Sequence, residues 1–382
     1  MGMTSHDAPS STRYGVDTTL RIRNHEPPEP FTGTYGPCPR RPADWSRWKG
    51  QNLREIDRVE FALANPPFET DPPGSLERTL TVTGVKTIRN RGGPHVVTCF
   101  LDGDPSTEYI AKIFDGVDYS LGDPGPGLFD YNDCMSFADR DYSIEAWAYR
   151  TMQPVIGGTF VPAYHGSWTF PVGERWVRMI LVELVQGECM LDIITRAEDK
   201  YGLNVDYARL PPEDFRIRVL KNIHEANLFI WWHAGVRHDD LVPRNVMVKP
   251  DGSVVIIDFN HVYIYDFTPS YDMHPRTREL NPRPLPPSLI ERLWPFQRGF
   301  KTDYPWIRWL PQRWIENPIL AAEWVMETYR DDPRCMPPSA FWLNKDIHKE
   351  GGEKALRLLE SLGREPAASE APDPQPSEGL TE

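Results

Sequence analysis

Short runs of β-branched and aromatic residues fill positions 76 to 183, and after Gly187 that pattern gives way to helical spacing. A chain that changes period once predicts a small β-rich part, a short link and a larger helix-rich part. The runs at 80–88, 95–101 and 109–114 read as a three-stranded antiparallel meander, with Asp-Gly-Asp-Pro at 102–105 as its second turn. A Gly-, Pro- and Asp-rich loop over 115–133 leads into a helix over 136–153. Two further strands are predicted around 160–165 and 176–185, the second apolar enough to be buried on both faces. Beyond Gly187 come helices over 190–200 and 212–234, the latter stopped at Gly235. Then 245–249 and 253–257 flank a Pro-Asp-Gly turn as a short hairpin.

The ends read differently. Proline makes up 39 of 382 residues, roughly twice the usual share, and residues 1–75 carry three Pro-Pro pairs. This stretch reads as an extension that is partly disordered or wraps a neighbour, with a short helix around 54–64. Residues 364–382 read as a disordered acidic tail. The chain thus divides into 1–75, a β-rich part with its link over 76–187, a helical part over 188–363, and the tail. A net charge of −13 argues against nucleic acid or an anionic membrane as partner. The five cysteines are scattered and form no C-x-x-C pair, which points to a reducing compartment. No signal-like apolar run and no stretch of ~20 apolar residues is present, so the expected location is cytoplasmic or nuclear.

The residues with the clearest chemistry lie in His238-Asp-Asp-Leu-Val-Pro-Arg-Asn245 and in Ile257-Asp-Phe-Asn260. Asp240 follows a buried helix. Asn245 opens the hairpin and Asp258 leaves it, so the hairpin brings these two to one end. Two carboxylates and an amide then converge, giving oxygen ligands suited to Mg²⁺ and a spare carboxylate. Taken singly, each reads more readily as a polar residue marking a loop end than as a functional one. Farther back, Lys112 shares a strand face with Ile110 and Phe114, and a lysine on an apolar face needs an anionic partner. The cluster Trp294, Trp306, Trp309, Trp314 and Trp324 reads as core.

This arrangement resembles the protein-kinase-like phosphotransferases, the superfamily of protein kinases, aminoglycoside phosphotransferases and choline kinases. Their H-x-D-L-x-x-x-N followed by D-F-G is matched by His238, Asp240, Leu241, Asn245, Asp258 and Phe259 in order and spacing. The wording of the motif is most similar to kinase-like proteins common in fungi. The resemblance implies an α+β, two-lobed protein-kinase-like fold, with a small antiparallel β lobe carrying one key helix and a larger, mostly α lobe. It implies ATP and Mg²⁺ as cofactors, a hydroxyl acceptor of unknown identity, Asp240 as catalytic base, and Asn245 and Asp258 as Mg²⁺ ligands. His238 and Phe259 would support the loop. Lys112 would clamp the phosphates, paired with Glu145 of the segment Glu-Ala-Trp-Ala-Tyr. Gly92 and Gly93 would stand in for the glycine-rich loop, and the backbone groups of Glu183 and Val185 would meet the adenine edge at the link.

Several positions depart from the family pattern. Asp239 replaces the Arg of H-R-D, and Val242 replaces the Lys found two residues after the base in Ser/Thr kinases. Asn260 replaces the Gly of D-F-G, and Asn tolerates the left-handed region the turn needs. No G-x-G-x-x-G and no A-P-E is found. These departures favour a small-molecule or atypical protein acceptor. The alternative reading is a catalytically silent pseudokinase that acts as a binding or scaffold module.

Overall fold

The computed structural model describes residues 13–31, 35, 46–48, 50–52, 55–68, 74–87, 92–121, 133–201, 204–267 and 305–329. The chain forms two compact units, 1–284 and 285–382. The acidic tail and Trp294 lie outside the described residues.

Six strands organise the first unit: β1 (Thr19–Asn24), β2 (Glu77–Thr87), β3 (His95–Leu101), β4 (Asp104–Phe114), β5 (Tyr164–Val172) and β6 (Arg175–Glu183). They close into an antiparallel barrel in the order β1-β2-β3-β4-β6-β5. Closure is the work of β1, which sets Leu20 opposite Leu80 on β2 and Arg23 opposite Thr169 on β5. This corrects the expected fold class. The chain builds a closed six-stranded barrel with attached helices, not a two-lobed protein-kinase-like fold with a small antiparallel lobe. The physical reason is the edge problem: a strand from the Pro-rich extension pairs the two edges that the other five would leave open.

Local sequence explains most of these strands. Asp102 and Gly103 take φ of 52° and 75°, both positive, so the turn joining β3 to β4 is the tight type whose twist matches a hairpin. Asp102 also accepts the Thr79 N–H at 2.9 Å, tying the turn to β2. Strand β5 begins later than the sequence reading placed it. Gly166, at φ 101°, sits in a bulge between Tyr164 and Ser167, and Pro171 lies near the strand end, so glycine and proline mask the run. Inside the barrel, Ile22, Leu80, Val82, Val97, Cys99, Ala111, Ile113, Phe170, Met179 and Leu181 form one buried core.

The described part of the extension is fastened to this barrel. Arg13 Nη2 lies 2.8 Å from Asp118, Tyr14 donates to Asp115 at 2.6 Å, and Arg175 pairs with the same Asp115 at 3.0 Å. All these groups are buried or nearly so, and removing one partner of such a pair costs about 3–5 kcal/mol because the other is left uncompensated. Farther along, the Trp147 indole donates to the Pro28 carbonyl at 2.9 Å and His25 Nδ1 meets the Tyr142 hydroxyl at 2.7 Å. The Tyr35 hydroxyl donates to Val262 O at 2.6 Å and accepts the Ile264 N–H at 3.0 Å.

Helix α1 (Arg58–Ala64) lies in the extension, close to its predicted place. Helix α2 (Cys134–Ile156) is capped by Asp133, which accepts the Ser136 N–H at 2.9 Å, and packs on β4, β5 and β6. After β7 (Glu188–Cys189) come α3 (Met190–Ala197) and α4 (Glu213–Leu228). A π turn over Phe229–His233 continues α4 before Gly235, at φ 72°, ends the run as predicted. Strand β8 (Val236–His238) pairs with β11 (Val262–Ile264), while β9 (Val246–Val248) lies between β7 and β10 (Val254–Ile256). In the second unit, α5 (Gln312–Glu316) and α6 (Pro318–Tyr329) are described, with Trp306, Trp309 and Trp314 buried.

Barrel closure gives a direct test. Ile22 is the fully buried residue of β1. Ile22→Ala is expected to cost about 2–5 kcal/mol in denaturant unfolding, whereas Ala at the exposed neighbour Arg21 should fall within about 0.5 kcal/mol of the parent. Equal, small effects at both positions would contradict a closing role for β1.

Candidate functional site

Strand alternation fixes the first residue of the site. Ala111 and Ile113 point into the barrel core, so Lys112 between them projects outward with Ile110 and Phe114. That face meets α2, and the Lys112 ammonium lies 2.5 Å from Glu145 Oε2. It lies equally close, 2.5 Å, to Asp258 Oδ1 beyond β10. Burial opposes the charge on Lys112, but Asp258 and Glu145 outweigh it and hold the ammonium above its ordinary range. Burial likewise pushes at Asp258, yet Lys112 keeps that carboxyl below its ordinary range. Glu145, 1% exposed, goes the other way: burial lifts its carboxyl to about 7 against the pull of Lys112.

Asp258 is held in an uncommon backbone conformation. Its φ is 66°, so the left-handed position falls on Asp258 and not on Asn260, where residue preference alone puts it. A non-glycine residue in that region costs on the order of 1–3 kcal/mol, and here the surroundings supply the restraint. Ile257 N–H donates to Asn245 O at 2.9 Å and Phe259 N–H donates to Glu145 Oε1 at 3.3 Å, one on each side of Asp258. The Phe259 ring is fully buried, with centroids 4.8 Å from His238 and 5.2 Å from Tyr149.

The loop after β8 brings in the other motif residues. Asp240 N–H donates to His238 Nδ1 at 3.2 Å, so Nε2 carries the proton and donates to Ile257 O at 3.2 Å. His238 thereby joins the Asp240 loop to the Asp258 strand. Asn245 Nδ2 donates to Asp240 O at 2.8 Å and to Asp240 Oδ2 at 3.1 Å, which turns its Oδ1 the other way. Asp240 is also paired with Arg244 at 2.5 Å. Arg237 is bound to Asp239 at 2.7 Å, so the Asp in the H-R-D arginine position has its own cation on β8.

These parts border a cleft of about 630 Å³, in the range of small-molecule sites. Of the residues expected from sequence, Lys112, Asn245, Asp258, Glu183 and Val185 line it. Glu145 lies behind Lys112, and Asp240 reaches the cleft through Asn245 and Arg244, both of its lining. Among the described residues Gly92 and Gly93 are not in the lining; the hairpin contributes Lys86, Thr87, Pro94 and Val96. The Glu183 N–H is spent, because it donates to Ala163 O at 2.9 Å where the chain enters β5. Among the described residues neither backbone group of Val185 has a hydrogen-bond partner. Sequence reasoning missed Arg244, Lys86, Cys189 and Asp192 as lining residues. Arg244 stood inside the quoted motif and could have been flagged by its charge; the other three carry no local signal.

Among the described residues no group of three or more His, Cys, Asp or Glu forms a ready metal cage. No helix among them is long and apolar enough to cross a membrane. A scan against protein-family models finds no match, and a search of curated proteins finds none either.

The raised Glu145 carboxyl has a measurable consequence. In the unfolded chain a glutamate ionises near 4.5, whereas the folded protein holds the proton to about 7. The folded state binds more protons across that window, so this group's contribution to stability falls as pH rises through it. Glu145→Gln removes the titration. Calorimetric Tm values should therefore move against the parent, relative to Glu145→Gln, as pH goes from 4.5 to 7. A constant difference would contradict a buried carboxyl at this place.

Proposed function

We propose that the protein is an ATP- and Mg²⁺-dependent phosphotransferase that moves the γ-phosphate to a hydroxyl acceptor. The observation that carries the reading is Lys112, held at 2.5 Å by both Glu145 and Asp258 beside a cleft that Asn245 also lines. The reading rests on the site and not on the fold.

The donor set fits a magnesium nucleotide. Mg²⁺ takes few protein ligands and completes its shell with phosphate oxygens and water, so one carboxylate and one amide oxygen suffice. Asp258 and the Asn245 Oδ1, turned away from Asp240, would hold it. When bound, the metal offsets the negative charge of the phosphates. The remaining work belongs to the chain. Lys112 presents a fixed positive charge, and Glu145 orients it from behind. Asp240 accepts the proton of the acceptor hydroxyl as the new O–P bond forms and the bond from the γ-phosphorus to the β–γ bridging oxygen breaks, releasing ADP. Asn245 and His238 hold the Asp240 loop in register with Asp258. Asp239 and Val242, in place of the family's Arg and Lys, support a small-molecule or atypical protein acceptor over a generic peptide.

One observation favours the silent binding module instead: the Asp240 carboxylate is already engaged by Arg244 at 2.5 Å. Two variants separate the readings. Mg·ATP should bind the parent, adding about 2.7 kcal/mol of stability at 100 times its Kd. Asp258→Asn should remove the metal-dependent part of that binding in calorimetry. Asp240→Asn should keep nucleotide affinity within a few-fold while ATP consumption, screened over hydroxylated metabolites and peptides, falls by ~10²–10⁴. ATP binding without consumption in the parent would decide for the silent module, and no binding at all would end both readings.

A further inference from the structure

The cleft has a cation whose position comes from a break in strand pairing. On β2, Val85 lies opposite Val97 and Thr87 lies opposite Val96, so Lys86 is the extra residue of a β-bulge and faces no partner on β3. Bulges re-aim a side chain that strict alternation would send elsewhere. Here the bulged residue lines the same cleft as Lys112, Asn245 and Asp258.

The charges around the cleft single it out. Among the described residues three lysines and arginines line it: Lys86, Lys112 and Arg244. Lys112 is committed to Glu145 and Asp258, and Arg244 to Asp240. Lys86 is exposed and, among the described residues, has no hydrogen-bond or ion-pair partner. A triphosphate stays anionic after it has taken up one divalent cation, so a site that binds it needs further donors or positive charge. Backbone N–H groups of a glycine-rich turn are one such source. That source is lacking in the described lining, where neither Gly92 nor Gly93 appears and the sequence has no G-x-G-x-x-G.

We infer that Lys86 is a polyphosphate-contacting residue, supplying by side-chain charge from a strand bulge what a glycine-rich turn supplies by backbone donors. The inference rests on the phosphotransferase reading and deepens it. Lys86 plays no part in the proton transfer at Asp240 or in metal binding at Asp258. Its contribution is to hold the outer phosphates, so it scales with the number of phosphates on the ligand.

The test is calorimetric titration of the full chain and its Lys86→Gln variant with Mg·ATP, Mg·ADP and adenosine. Lys86 is exposed, so the variant should melt with the parent. Mg·ATP affinity should fall roughly tenfold or more, as for loss of a hydrogen bond to a charged group. Mg·ADP should lose less, and adenosine should bind as before. Unchanged Mg·ATP affinity in the variant, with the parent binding normally, overturns the role of Lys86 and leaves the phosphotransferase reading standing. An equal loss for adenosine also overturns it, because the contact would then lie on the nucleoside. A parent that binds none of the three removes both.

Discussion

A lysine ammonium taken out of water must find negative charge, and Lys112 finds two carboxylates that come from distant parts of the chain. One is Glu145, 33 residues on, in the middle of α2; the other is Asp258, 146 residues on, after β10. Three elements must therefore keep their places for the site to exist: the outer face of β4, the helix packed on it, and the loop leaving the hairpin. Each is braced by something else. The barrel holds β4 between β3 and β6, the Asp133 cap fixes the start of α2, and the Asn245 carbonyl and Glu145 carboxylate hold the backbone on either side of Asp258. The resulting group has two acids for one base, and the ionised Asp258 carboxylate is suited to a divalent cation.

The Pro-rich extension turns out to be part of this support. Its strand β1 closes the barrel, Arg13 and Tyr14 tie into Asp115 and Asp118 just after Lys112, and the Pro28 carbonyl receives the Trp147 indole from α2 two residues after Glu145. Tyr35 then bridges Val262 and Ile264 on β11, the strand that pairs with β8 and so with His238. A segment rich in proline cannot make its own ladder, but it can run across other elements and satisfy their free groups.

How much of this was legible in the sequence depends on the length of the pattern involved. Strands β3 and β4 and the tight turn at Asp102 and Gly103 announced themselves, because alternation and turn chemistry are local. So did Lys112, Glu145, Asn245 and Asp258, since each is polar where its element is apolar, or sits at a loop end at the family's spacing. Strand β1 was missed: six residues with one fully buried side chain, surrounded by prolines, leave too little period to detect. Barrel closure was missed with it, because pairing between β1 and β5 spans about 145 residues and leaves no mark in either strand. The left-handed residue was placed at Asn260 on residue preference, yet the structure puts it at Asp258, where tertiary contacts overrule preference. Lys86 escaped because a bulge shows in the register of two strands and never in one.

Lys112, Asn245 and Asp258 together are proposed to form a magnesium–nucleotide site. A crystal structure of the full chain grown with Mg²⁺ and a non-hydrolysable ATP analogue examines it directly. Metal density is expected against the Asp258 carboxylate and the Asn245 side-chain oxygen, with phosphate oxygens within hydrogen-bond reach of the Lys112 ammonium. Nucleotide bound elsewhere, or a cleft with Lys112 still closed on both carboxylates and no nucleotide beside it, would rule the proposed site out.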